Sequence, residues 1–366
     1  MEAQNPKKVI LVLFVSLLVL LACHSFALGD WSNVAPPVVS LSWSLNSVDF
    51  SSADEGWATG IDYSNHSGVL LHYSGGAWTS VTPPSVSSDW LLKCVDLISP
   101  LEGWAVGGDN SNHRGVLLHY AGGSWAPVTP PSVSSDWSLK GVHFISSAEG
   151  WAVGSDEANG IGVLLHYSGG VWSPVTPSPI SSDWSLTSVN FTSSGEGWAA
   201  GIDPPHHRGI LLHFSAGSWT SVAPPPVSSD WSLSSVHFSS ADEGWAVGPD
   251  KEKRGGTLLH YSKGSWSSVA PPFDSSYWEL TSVYSISSGE AWAIGSDGKG
   301  GKGILLHYSG GAWKSVFPPS VSSYWYLTNA QFTSSGEGWA VGTDGVHGKG
   351  VLLHQTASTQ SVLPKK

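Results

Sequence analysis

Three residue types suited to acid–base chemistry recur along this chain at one fixed interval. Glu55, Asp62 and His72 each return every 47 residues, seven times over, ending at Glu337, Asp344 and His354. A Glu, an Asp and a His in one unit are the residue types of general acid–base catalysis and of metal ligation. Their repetition argues against both, because a catalytic centre is a single asymmetric constellation and seven equivalent copies cannot converge on it. Structural roles are therefore expected. Asp at a strand end closes an Asx-turn, Glu in a hairpin bonds turn amides, and His in an apolar strand needs a partner.

The elements that carry these residues follow from the same interval. All 21 tryptophans fall into three sets of seven. One is Trp43, Trp90, Trp137, Trp184, Trp231, Trp278 and Trp325; the others run from Trp57 to Trp339 and from Trp31 to Trp313. Each unit reads approximately WSLxSVxF, SSxxEGWAVGxD, a variable stretch, GVLLHYSGGxW and VxPPxVSSDW. Four short strands fit this pattern, at 45–50, 56–60, 69–73 and 78–82, termed a to d. Turn residues separate them, and no stretch has helical periodicity with caps. With 43 Gly and 23 Pro, helix has little room. A four-stranded unit of this length matches a propeller blade, with a solenoid as the competing reading.

The third tryptophan set decides between them. Trp31 precedes the first complete unit, and Gln360 stands where the last unit needs its own copy. Residues 31–37 are thus expected to supply strand d to a final blade made from 325–354. Such a split needs the two chain regions to meet, which implies a closed ring without exposed sheet edges. The expected fold is an all-β, seven-bladed β-propeller of 47-residue repeats, one domain over 28–360, closed by its N-terminal strand.

Within that ring the tryptophans at 57 and 78, with their equivalents, lie inside strand patterns and are expected to pack between blades. The Trp43 set sits at the connection from strand d to the next strand a, on the face that also carries the b–c loops. Two readings stay open for it: wedges between blades, or an aromatic platform for sugars or peptides. The b–c loops are where otherwise near-identical units differ, as expected of a binding surface or of drift in exposed loops. They hold His66, Arg114, His206, Arg208, Lys251, Arg254, Lys302 and His347 as candidate ligand contacts. All three arginines of the protein are among them, and Lys251, Lys253, Lys299, Lys302 and Lys349 give the last three blades a basic arc. A second variable set lies in strand a: Asp49, Asp96, His143, Asn190, His237, Tyr284 and Gln331, expected at the axial channel. It contains metal-ligand types without metal-ligand spacing, so no metal or cofactor is implied. Cys94, in a set otherwise filled by Ser, Gly and Asn, is expected to be a packing residue.

Residues 1–27 stand apart from the repeats. Lys7 and Lys8 precede the largely apolar run from Val9 to Ala22, too short to span a bilayer but suited to a signal peptide. Cleavage after Ala27 is one expectation. The other is a lipoprotein signal ending at Ala22, which would make Cys23 a lipid anchor. Either implies export, secreted, periplasmic or at the cell surface, with membrane contact only through that anchor. The formal charge of −12 argues against nucleic-acid binding. A monomer with a protein or glycan partner is expected, and residues 361–366 read as a tail.

The units resemble the sialidase-like propellers of Asp-box (BNR) repeats, especially the photosystem II stability/assembly-factor-like branch. The resemblance rests on the Val-x-Phe strand, the Gly-Trp-Ala-Val-Gly strand, and Gly followed by Trp at the c–d turn, over Trp31 to Gln360. The box itself is degraded. Gly75 and Trp78 remain, but Tyr73 stands where Asp belongs and Leu71 where Ser belongs. Sialidases imply an arginine triad with a Tyr nucleophile, whereas Arg114, Arg208 and Arg254 lack the matching motifs. The assembly-factor branch implies a non-enzymatic role holding partner proteins. A non-enzymatic binding scaffold is accordingly the first expectation, a lectin using the Trp43 ring the second, and a glycosidase, with two carboxylates flanking a sugar, the third.

Overall fold

The computed structural model describes residues 30–176, 180–193, 195–273, 277–333 and 336–356. The expected processing sites, Cys23 and the tail lie outside them. Seven four-stranded antiparallel sheets form the fold, each in the order a-b-c-d for the six blades built from contiguous chain. In blade 1 these are Trp43–Ser52, Glu55–Asp62, Ser67–Ser74 and Ala77–Val81. The seventh sheet takes Trp325–Phe332, Gly338–Asp344 and Lys349–Gln355, and adds Trp31–Val34 as its outer strand. Trp31 lies opposite Gln355 and Val34 opposite Leu352. The ring is closed by its N-terminal strand, as the missing eighth tryptophan implies.

Strands b and c are near-continuous apolar runs because both faces of each sheet are covered by a neighbouring blade. Leu70 and Leu71 are both fully buried, yet they serve different cores. Leu71 packs with Trp43 and Trp78 of its own blade and Trp339 of the blade before, whereas Leu70 packs with Trp57, Trp90 and Trp125. Each seam repeats one aromatic cluster. Trp57 packs edge-on to Trp125 at 5.4 Å and against Tyr120 at 5.0 Å; Trp339 stacks on Phe50 at 5.5 Å. Burying such side chains contributes on the order of 3–5 kcal/mol each, so these seams dominate the core.

A bulge between Leu45 and Ser47 recurs in the inner strands of the other blades with a full-length ladder. It presses the Ser44 carbonyl onto Gly60, where a Cβ would sit 1.9 Å from that oxygen. The glycine of the Ala-Val-Gly motif is therefore a steric requirement of the bulge.

Candidate functional site

The b–c loops and d–a linkers share one face and bond each other across every seam. The Trp90 amide donates to the His66 carbonyl at 3.1 Å, and the Tyr63 amide to Ser42 at 2.9 Å. Asp62 organises this junction. Its carboxylate accepts from the Ser40 hydroxyl at 2.7 Å, the Ser64 and Asn65 amides at 2.9 and 3.1 Å, and the Asn65 side chain at 2.7 Å. Burial opposes its ionisation, but the hydrogen bonds from Ser40 and Asn65 outweigh that and hold the carboxyl below its ordinary value. Asp109, Asp203 and Asp344 behave alike. The repeated Asp is thus a turn-former, as its position at the strand end suggests.

The repeated Glu and His, which sequence reasoning assigned separately, hydrogen-bond each other across strands b and c in blades 1, 4, 5 and 6 and lie 3.7 and 3.5 Å apart in blades 2 and 3. His72 meets Glu55 at 2.5 Å, His213 meets Glu196 at 2.6 Å and His307 meets Glu290 at 3.2 Å. Each imidazole also lies against the strand-b tryptophan, His72 on Trp57 at 4.4 Å.

Of the two readings left open for the Trp43 set, the structure supports the wedge and goes against the platform. Trp43, Trp90, Trp137, Trp184, Trp231, Trp278 and Trp325 are all buried, at 2–5% exposure. Each indole lies over a strand-c glycine of the preceding blade. A Cβ on Gly68 would meet Trp90 at 2.5 Å, and one on Gly350 would meet Trp43 at 2.3 Å. The glycine leaves room for the indole against strand c, so these rings are buried wedges between blades.

Several candidate loop residues are likewise held by their own loops. Arg114 pairs with Asp109 at 3.4 Å and Arg208 with Asp203 at 3.2 Å. His206 bonds Asp203 at 2.9 Å, and His347 bonds Asp344 at 2.7 Å. His66, in the left-handed region at φ 52°, lies 3.8 Å from Asp89 of the next linker. The three arginines stand in the loops of blades 2, 4 and 5 on separate partners and do not converge as a triad would.

Lys251, Arg254 and Lys302 are exposed, and the first two line a cleft of about 340 Å³ between blades 5 and 6, with Tyr277, Glu279 and Gly298. Arg254 donates to the Tyr277 hydroxyl, and its guanidinium lies 5.0 Å from that ring. Tyr277 was missed from the sequence, as was Tyr324. Both occupy the linker position that is Asp89, Asp136, Asp183 and Asp230 in blades 2–5, and are 45% and 53% exposed. Tyr324 lies between the loops of blades 6 and 7, where a Cβ on Gly301 or Gly345 would meet its ring at 2.7 or 2.4 Å. The legible signal was Ser-Ser-Asp-Trp becoming Ser-Ser-Tyr-Trp in the last two linkers.

At the axis, the variable set of strand a latches neighbouring blades. Asp49 accepts from the Leu97 amide at 2.6 Å, Asp96 from Phe144 at 2.8 Å, Asn190 from Phe238 at 2.9 Å and His237 Nδ1 from Ser285 at 3.1 Å. Burial and the neighbouring Asp96 raise the Asp49 carboxyl well above its ordinary value, and burial with repulsion from His143 drives His237 down to about 3. Burial pushes the Cys94 thiol up to about 12, which leaves it un-ionised and suits a packing residue. Among the described residues no three His, Cys, Asp or Glu side chains gather as a metal site would need.

The architecture is similar to that of YCF48. A structure of YCF48 bound to D1 peptide superposes with a TM-score of 0.62 at 17% identity, over 92% of this chain and 99% of that one. YCF48 from Cyanidioschyzon merolae gives 0.60 at 18% identity, over 89% and 98%. The GH74 xyloglucanase from Xanthomonas campestris gives 0.60 at 13% identity, over 86% of this chain and 53% of that one. No protein-family description and no curated protein sequence matches the chain. The resemblance to assembly-factor-like propellers read from the repeats thus extends to the whole fold. At these identities the likeness concerns fold, and both a binding protein and an enzyme share it.

Proposed function

We propose that this protein is an exported, non-enzymatic scaffold that binds an acidic, extended segment of a partner protein across the b–c/d–a face of blades 5–7. One observation carries the reading. In blades 2–5 the linker carries Asp beside the preceding b–c loop, whereas blades 6 and 7 carry exposed Tyr277 and Tyr324. In that sector Lys251, Lys299, Lys302 and Lys349 have no ion pair among the described residues. Unpaired cations beside exposed tyrosines are the composition of a peptide-binding surface, where the rings supply area and the cations select charge. The likeness to a propeller bound to a peptide supports the same reading. A lectin loses its basis with the burial of the Trp43 ring.

The test selects peptides on the immobilised protein from a random library and measures the best by calorimetry. Acidic sequences should be enriched. The double variant Y277D/Y324D restores the residue found in other linkers and should weaken them by at least about tenfold, the loss of one or two interface anchors. Enrichment of peptides without acidic bias, or full affinity for Y277D/Y324D, would refute the proposal.

A further inference from the structure

A second cationic site lies at the axis, on blades the peptide reading does not use. The bulge in strand a turns the side chain at Asn46 and its equivalents against the next blade's inner strand. In four blades that side chain is short, neutral and satisfied there. Asn46 donates to the Leu92 carbonyl at 2.6 Å, Thr187 to Leu233 at 3.0 Å, Thr281 to Leu327 at 2.9 Å and Thr328 to Leu45 at 3.0 Å. Blades 2 and 3, adjacent in the ring, carry Lys93 and Lys140 instead. Each is the fourth of ten residues of its inner strand, counted from the b–c end at Trp90 and Trp137, so both lie in the half of the axial channel nearer the b–c face.

Neither lysine has an ion-pair partner among the described residues. The carboxylate that acts on Lys140, Glu157, is occupied elsewhere: it accepts from the Ser155 hydroxyl at 2.5 Å and from Ser138 at 3.3 Å. Lys93 is exposed and Lys140 half-buried, so both remain open to a ligand; partial desolvation, and for Lys93 repulsion from Lys140, hold the two ammoniums below the ordinary lysine value. Two neighbouring ammoniums that repel each other cost the free protein stability, and five other blades manage with neutral residues. A feature that costs stability and has no internal partner is what a ligand site on a scaffold looks like.

We infer that Lys93 and Lys140 form an anion site in the b–c half of the axial channel, which takes a carboxylate held between the two ammoniums. The carboxylate comes either from a free small molecule or from an acidic side chain of a bound protein. Calorimetric titration with citrate at low ionic strength tests the site. Saturable binding is expected, weakened by about tenfold or more in K93Q/K140Q, since a hydrogen bond to a charged group contributes about that factor. It should be unaffected in K314Q, whose lysine is exposed on the outer strand Ala312–Val316 of blade 6. An acidic hexapeptide that competes with citrate assigns the carboxylate to a protein, and one that does not assigns it to a small molecule. Ligand-free K93Q/K140Q should melt no lower than the parent. Absence of saturable binding to the parent, equal binding by K93Q/K140Q, or a lowered melting temperature for that variant would overturn the inference.

Discussion

Replacing Trp31 by Ala tests whether the N-terminal strand is what closes the ring. Trp31 is 8% exposed and packs edge-on to Trp292 at 5.6 Å and to Phe332 at 6.0 Å. A tryptophan buries about 150–250 Å². At about 25 cal/mol per Å² this is on the order of 4–6 kcal/mol, reduced by residual burial in the unfolded chain to about 3–5 kcal/mol. Trp125 is the control, because it holds the same place in blade 2, is equally exposed and meets Trp57 at 5.4 Å. W125A should lose similar local packing, but its strand is tethered to strand c by a tight turn and to the next blade by a linker. The strand of Trp31 has no such turn to Gln355 and is held to strand c by four residue pairs and the Ser32 hydroxyl donating to the His354 carbonyl at 3.2 Å. W31A should therefore lower the free energy of opening the seam by about 3–5 kcal/mol, and the strand should detach before the rest unfolds. Hydrogen exchange at low denaturant should show lost protection at Leu352–Gln355, with the equivalent amides of blade 2 still protected in W125A. Equal exchange patterns in the two variants, or a change below about 1 kcal/mol, would refute the closure argument.

Two further predictions follow from packing and charge. His237 is held neutral in the folded state, near 3 against an ordinary 6.5, so its contribution is complete above 6.5 and is lost as the pH falls toward 3. The loss is at most about 5 kcal/mol. H237N keeps the acceptor that Asn190 supplies in blade 4, so its melting temperature should fall less steeply over that window; superposed curves would contradict the assignment. The channel carboxylates work the other way, since raised Asp49 and Asp96 gain stability as the pH falls through their folded values. G60A drives a Cβ against the Ser44 carbonyl and should cost about 3 kcal/mol or more. G75A meets no neighbour and bears only the strain of φ +60°, about 1–2 kcal/mol. Denaturant midpoints in the reverse order would count against the bulge explanation.

Much of this protein was determined by its sequence alone, because a repeat carries topology directly. The 47-residue interval set the number of blades, and the placement of Trp31 before the first unit required a ring. The turn-forming role of Asp62 followed from its place at a strand end, since its partners Ser64 and Asn65 are two and three residues away. What depended on contacts between repeats stayed undecided. Whether Trp43 is a platform or a wedge depends on Gly350, 307 residues distant in the chain and adjacent only once the ring has closed. Glu55 and His72 became partners only through the b–c register. Arg114 and Arg208 looked available as loop cations until the fold brought buried carboxylates beside them. Tyr277, Tyr324, Lys93 and Lys140 were visible as departures from the repeat, but a departure has no physical meaning until its neighbours are known. Tertiary structure decided which charges are neutralised and which stay unpaired, because pairing is a property of distance in space.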